Sequence, residues 1–279
     1  MLMKQFRKDF PALMRDDPVA YLDNACVTLK PQSVIDAIQD YYINSPGCGG
    51  RSVHRYGTHV SKTISQSRKK LSDFFSSPSV NEIVFTRNAT HSLNQIAKGL
   101  EWNKGDVVLT TDREHNSNLV PWLQLEQEQG IDHRIVRSNH DNTFNLESFE
   151  EACANAGSKL KMVSMSQVGN LDGVEIPVKD ITKIAKDYGA LVSIDGAQSA
   201  PHMSVDVQDL GIDFYSFSIH KMLGPSGMGG LWGKTELLEK MRSIQSGGQT
   251  VKTSTYESLE WAKPPSKFEG GLGHFAGMM

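Results

Sequence analysis

Short apolar runs rich in β-branched and aromatic residues alternate along this chain with longer stretches whose apolar positions recur at helical spacing. The runs predict strands at Glu82–Thr86, Val107–Thr111, His133–Val136, Lys161–Met165, Leu191–Ile194, Phe214–Ser218 and Gly230–Trp232. The stretches between them predict helices at Gln32–Tyr42, Val60–Phe75, His91–Leu100, Val120–Gln129, Leu146–Ala156, Val178–Tyr188 and Glu236–Ile244. Strands separated by helices of this length are not simple hairpins. They need crossover connections, so an α/β fold with a mostly parallel seven-stranded sheet flanked by helices is expected. Gly105-Asp106, Asp187-Tyr188-Gly189-Ala190 and Gly211-Ile212-Asp213 supply turns at the predicted boundaries.

The bulk properties add limits. With 279 residues, 38% hydrophobic and 22% charged, the chain reads as globular, large enough for one big domain and part of a second. A net charge of −3 without basic clusters argues against nucleic acid or an anionic membrane as partner. The start, Met1 to Arg7, lacks the apolar core of a signal peptide, and no run reaches the length of a membrane span. Cys26, Cys48 and Cys153 are odd in number, far apart and form no Cys-x-x-Cys. They read as small, partly buried thiols in a reducing cytoplasm. Lys263-Pro264-Pro265-Ser266-Lys267 is the only linker-like composition. The expected division is an N-terminal segment over 1–20, a large α/β domain over 21–262, and a linker over 263–279 that begins a small C-terminal domain missing from this sequence.

Several candidate residues fall at predicted strand ends. Lys221 follows Phe214–Ser218 and precedes the glycine-rich Gly224–Gly230, with no acidic residue between Phe214 and Gly233. Most lysines are solvated surface charges, but an amine desolvated in such a place is pushed toward its neutral, nucleophilic form. Asp195 ends Val192-Ser193-Ile194 and begins Gly196-Ala197-Gln198; alone it would pass as a turn residue. Ala89 and Thr90 stand where a helix should begin, where Thr90 could be an N-cap and where phosphates also bind. His115 and Asn170 follow two other strands and are ambiguous singly.

Together these parts suit pyridoxal 5′-phosphate (PLP). That cofactor needs a lysine for a Schiff base, a carboxylate facing the pyridinium nitrogen and a helix N-terminus for its phosphate. Lys221 would supply the first and Asp195 the second, with Gln198 near the 3′-oxygen. Thr90, Ser218 and His220 would face the phosphate, and His115 would stack on the ring or carry protons. Competing patterns are weaker. The glycine run lacks Walker spacing, no Gly-x-Ser-x-Gly elbow is present, and His54 and His59 have no acidic or cysteine cluster to make a metal site.

The order of these pieces resembles the class V aminotransferases, in the branch of cysteine desulfurases and selenocysteine lyases. The resemblance runs from Tyr21-Leu22-Asp23-Asn24-Ala25 through Val53-His54-Arg55, Thr90-His91-Ser92-Leu93-Asn94 and Glu114–Trp122. It continues through Asp195-Gly196-Ala197-Gln198 and Phe217-Ser218-Ile219-His220-Lys221 to Phe268-Glu269-Gly270-Gly271. It implies the large domain of the fold type I PLP-dependent transferases, in a homodimer with the site near the subunit interface. It also implies catalytic roles for Lys221 and His115, and cofactor binding by Ala89, Thr90, His115, Asn170, Asp195, Gln198, Ser218, His220 and Lys221. Members of the family remove sulfur from L-cysteine, leaving alanine and a persulfide that feeds a sulfur acceptor or iron–sulfur scaffold. None of the three cysteines occupies the place of the family's persulfide cysteine. Gly270-Gly271-Leu272 stands where the family has Ala-Gly-Thr, whose threonine reaches the partner subunit's phosphate. Two other readings stay open: another class V activity (aminotransferase, epimerase or lyase), and a non-catalytic PLP-binding remnant.

Overall fold

Period-two alternation decides the layering. In the computed structural model, which describes residues 6–17, 19–50 and 52–279, neighbouring residues of the inner strands enter opposite cores. Ile83, Val107, Leu109, Val163 and Met165 pack on one face with Phe149, Cys153, Ile181 and Ala185. Val84, Val108 and Met162 pack on the other with Ile96, Ala97, Trp122 and Leu125. The strands are β1 (Ile83–Thr86), β2 (Val107–Thr111), β3 (Asp132–Val136), β4 (Leu160–Ser166), β5 (Leu191–Asp195), β6 (Phe214–Phe217) and β7 (Gly229–Gly233). They form one seven-stranded sheet in the order β1-β7-β6-β5-β4-β2-β3. Only β7 is antiparallel to its neighbours, β1 and β6. The predicted α/β layering and mostly parallel sheet are therefore present, with each strand within a residue of its predicted ends.

The helices are α1 (Gln32–Asn44), α2 (Arg55–Phe74), α3 (Ala89–Gly99), α4 (Asn116–Gln129), α5 (Leu146–Ala156), α6 (Val178–Asp187), α7 (Thr235–Lys240) and α8 (Phe275–Met278). Two begin four or five residues earlier than predicted, for one reason. A histidine caps each: His54 accepts from Gly57 N at the start of α2, and His115 from Ser117 N at the start of α4. Histidine is outside the usual set of N-cap residues, so composition gave no start signal there. The helix predicted over Glu236–Ile244 stops at Lys240.

A two-stranded ribbon, β8 (Val251–Ser254) with β9 (Leu259–Trp261), was not predicted, because its polar, mostly exposed residues show no buried face. The linker-like stretch lies against the sheet layer. Lys267 Nζ donates to Glu239 O at 2.8 Å, and Phe268, 3% exposed, joins the α3–α4 core. The predicted 1–20 segment falls partly outside the described residues.

Candidate active site

Because β1, β2, β4, β5 and β6 run the same way, their carboxyl ends share one edge of the sheet, where open α/β folds place ligands. A cavity of about 510 Å³ lies there, lined by Ala89, Thr90, His115, Asn170, Asp195, Gln198, Ser218, His220 and Lys221. All nine residues singled out in the sequence meet in it.

Asp195 is the last residue of β5 and only 5% exposed. One oxygen accepts Ala197 N–H at 2.9 Å, and no cation pairs with the carboxylate among the described residues. Burial pushes its pKa up, with the Ala197 bond and the charge of Lys221 opposing. The turn after it depends on Gly196, where a Cβ would lie 2.0 Å from the Tyr215 ring. Lys221 closes a short 3₁₀ turn after β6 and is half-buried, its Nζ making no hydrogen bond among the described residues. Burial lowers its pKa, against the attraction of Asp195, as the apolar flanks of the sequence implied.

The start of α3 forms the opposite wall. Asn88, not Thr90, is the N-cap, accepting His91 N–H at 2.9 Å. The capping reading of Thr90 is therefore corrected: Thr90 lies two residues inside the cap, exposed. Ala89 N–H donates to Ser218 Oγ at 3.0 Å, so the ends of β6 and α3 are joined. A Cβ on Gly229 would lie 2.4 Å from Asn88 Cα, which shows how closely β7 passes beneath this helix start.

His115 is a helix cap as well as a cavity residue. Its Nδ1 accepts Ser117 N–H at 3.1 Å and lies 2.9 Å from Ser117 Oγ. Ser117 Oγ in turn is 2.7 Å from Thr90 Oγ1, a continuous polar chain from the α3 terminus to the ring. With Nδ1 committed as an acceptor, the neutral ring carries its proton on Nε2. Burial and then the charge of Lys221 lower its pKa.

Residues missed in the sequence, among them Glu114, Arg113, Asp172, Thr28 and Lys30, hold these parts. The carboxylate of Glu114 accepts from Thr111 Oγ1 at 2.6 Å, Asn118 Nδ2 at 2.7 Å, Ser166 Oγ at 2.7 Å and Ser166 N at 2.9 Å. It thereby fixes the loop carrying His115 to the end of β4, and its burial raises its pKa against those four donors. Arg113 pairs with Asp172 and so anchors the loop that carries Asn170. The carbonyl of His220 accepts from Thr28 N at 3.2 Å, Thr28 Oγ1 at 3.0 Å and Lys30 Nζ at 2.7 Å, which draws the N-terminal segment over the cavity. Gln198 Nε2 is engaged with Ala25 O at 2.8 Å, so it holds that segment as well as lining the cavity. Apart from the Thr111 and Asn118 bonds to Glu114, the partners of these bonds lie far apart in sequence, so no local pattern announced them.

The cysteines need one correction. Cys153 is buried and its thiol is pushed up to about 12, but Cys26 is exposed and lines the cavity instead of being partly buried.

The residues fit PLP: a carboxylate without a cation, an amine without an anion bonded to it, and a helix terminus flanked by hydroxyls all face one space. Comparison with known proteins agrees. The profile of the family "Aminotransferase class-V" matches residues 20–279. A probable cysteine desulfurase of Halalkalibacterium halodurans is 38% identical over 98% of this chain and 68% of its own length. A cysteine desulfurase of Serratia proteamaculans is 37% identical over 99% of this chain and 69% of its own. The apo structure of a cysteine desulfurase from Thermococcus onnurineus NA1 superposes with a TM-score of 0.92 at 34% identity, covering 99% of this chain and 68% of that one. The chain thus spans about two thirds of the length of these relatives.

Proposed function

This chain belongs to the class V aminotransferase family, in its cysteine desulfurase branch, and from that premise we propose that it binds PLP through Lys221 and takes sulfur from L-cysteine, leaving alanine and a persulfide. One observation carries the assignment to this cavity. Lys221 and Asp195 face one space at adjacent strand ends, each charged group lacking a bonded counter-ion among the described residues.

Bound there, PLP supplies an electron sink that stabilises negative charge developing on the substrate. The protein's own groups do the rest. Asp195 holds its negative charge against the pyridine nitrogen, where burial strengthens the attraction. Thr90, Ser218, His220 and the Ala89 end of α3 would hold the phosphate, with Gln198 and Asn170 near the 3′-oxygen. Lys221, whose burial lowers its pKa toward the neutral amine, serves as nucleophile and proton carrier. His115 would cover the ring and present a proton from Nε2, because Nδ1 is held by the start of α4.

A homodimer belongs to this reading. Helix α1 buries none of its residues and leaves Ile35, Tyr42 and Ile43 exposed, an apolar surface that a second copy would cover. The reading also includes a large domain over 21–262 followed by the start of a small one, a sulfur acceptor or iron–sulfur scaffold as partner, and work in the cytoplasm. Among the described residues no helix is long and apolar enough to cross a membrane.

The test is reconstitution of the chain with PLP, followed by L-cysteine. A visible cofactor band that Lys221→Ala abolishes, together with alanine release, is the expected result. An unchanged band in that variant would remove the basis of the proposal.

A further inference from the structure

Thr90 and Ser117 are the second residues of α3 and α4, and neither hydroxyl serves its own helix. Asn88 caps α3 through its side chain, and His115 Nδ1 caps α4 by accepting the backbone N–H of Ser117 at 3.1 Å. The two hydroxyls turn to each other across the helix starts instead, 2.7 Å apart, and Ser117 Oγ also lies 2.9 Å from His115 Nδ1. Neither makes another hydrogen bond among the described residues. Thr90, Ser117 and His115 all line the cofactor cavity.

Each hydroxyl carries a single proton, so this row of atoms can be filled in two ways. Directed inward, Thr90 donates to Ser117 and Ser117 donates to His115 Nδ1. Directed outward, Ser117 donates to Thr90 and Thr90 donates to an acceptor in the cavity. Among the described residues only the inward row gives both protons an acceptor. An anionic oxygen at the start of α3 reverses it, because a hydrogen bond to an ionised group is roughly twice as strong as one between neutral groups.

We propose that Ser117 is a positioning residue that passes occupancy of the phosphate site on to His115, by turning its hydroxyl from Nδ1 of the ring to Thr90 Oγ1. The inference rests on the PLP reading above. In the inward row Nδ1 receives two donors, which favours the neutral ring. In the outward row one donor is withdrawn, and a lone pair of Ser117 Oγ faces Nδ1 in its place, ready to accept from a protonated ring. His115 therefore becomes the stronger base once a phosphate is seated, which suits a group that carries protons over the cofactor. Other charges act on the ring too. Lys221 and His220 share the cavity with it from the turn after β6, Asp195 from the end of β5, and Asp23 and Cys26 from the N-terminal segment, while Arg113 and Glu114 precede it in its own loop. None of them bonds to the Ser117 hydroxyl, so removing that hydroxyl leaves their charges in place.

The experiment titrates the His115 ring by NMR in the full chain with isotope-labelled histidine, the signal being identified by its loss in His115→Asn. Inorganic phosphate is the probe. Saturating phosphate should raise the titration midpoint of His115 in the parent by at least about 0.5 pH units more than in Ser117→Ala, the worth of one modest hydrogen bond. Ser117→Thr, which keeps the hydroxyl, should restore the parent rise. The charge of the phosphate acts on all of these chains alike, so it cancels from the comparison. Equal rises in the parent and Ser117→Ala, no rise in the parent, or a Ser117→Thr variant that behaves as Ser117→Ala would each overturn the relay. The same preparations are then loaded with PLP. A cofactor band in the parent alongside equal rises sinks the relay alone, whereas no band in the parent sinks the cofactor reading and the relay with it.

Discussion

Arg68 grips Glu269 across 201 residues of sequence, Nη1 and Nη2 donating to the two carboxylate oxygens at 2.7 and 2.9 Å. The pair also closes the outer edge of the sheet. Arg68 Nη1 donates to Ile83 O at 2.6 Å and Glu269 Oε1 accepts Phe85 N–H at 2.7 Å, so groups that edge strand β1 would leave open are satisfied by side chains. Both side chains are largely buried, 12% and 15% exposed, and removing one strands the other. Glu269→Ala should lower the unfolding free energy by about 3 kcal/mol in urea titration. Adding Arg68→Met should return part of the loss, and a single-variant effect below about 1 kcal/mol would contradict this account.

Asp195 should trade stability for binding. Its folded pKa lies above its ordinary value of 3.8, so it contributes stability that is present below that value and lost as pH rises through the folded pKa. Burial therefore disfavours the charged form of this carboxyl in the cofactor-free protein. Asp195→Asn should melt higher than the parent without PLP, by roughly 2 °C or more. The same variant should bind PLP at least about tenfold more weakly in titration, since tenfold corresponds to only about 1.4 kcal/mol. A lower melting temperature without cofactor would refute the first half.

His115 ties acid sensitivity to the start of α4. Its folded pKa lies below 6.5, so the stability that its neutral ring provides is present above that value and lost as pH falls through the folded pKa. Protonated Nδ1 no longer accepts Ser117 N–H. His115→Ala should cost about 1 kcal/mol at about pH 7.5, and His115→Asn, a better cap, should recover most of it. Melting curves at about pH 7.5 and about pH 5.5 should show a smaller acid loss for the asparagine variant than for the parent chain. An equal loss in both would place the acid response elsewhere.

Glu114 works as an acceptor for four donors, a task that an amide cannot share equally. In Glu114→Gln one oxygen becomes an N–H₂ group facing donors from Ser166 and Asn118. The variant should lose about 1–3 kcal/mol of stability. It should also lower alanine release more than it lowers PLP affinity, because the displaced loop carries His115 while Lys221 stays in the turn after β6. Unchanged turnover at reduced stability would show Glu114 to be structural only.

The sequence by itself determined the layers and the nine cavity residues. Alternating apolar residues in strands such as Val107-Val108-Leu109 name two buried faces whatever the rest of the chain does. Residues at the carboxyl ends of parallel strands must share one edge, so Asp195 and Lys221 were bound to lie on the same edge once their strands were recognised, and the direct pairing of β5 with β6 makes them neighbours. What joins distant segments was left to the tertiary structure. The Glu114 donors, the Ser117 chain, the Arg68–Glu269 clasp and the hold of Thr28 on His220 depend on backbone paths that no local period encodes. Cys26 shows the difference best. Its sequence surroundings read as a partly buried thiol, and its exposed place in the lining of the cavity exists only because hydrogen bonds of low individual strength fold an N-terminal turn across the carboxyl-end edge of the sheet.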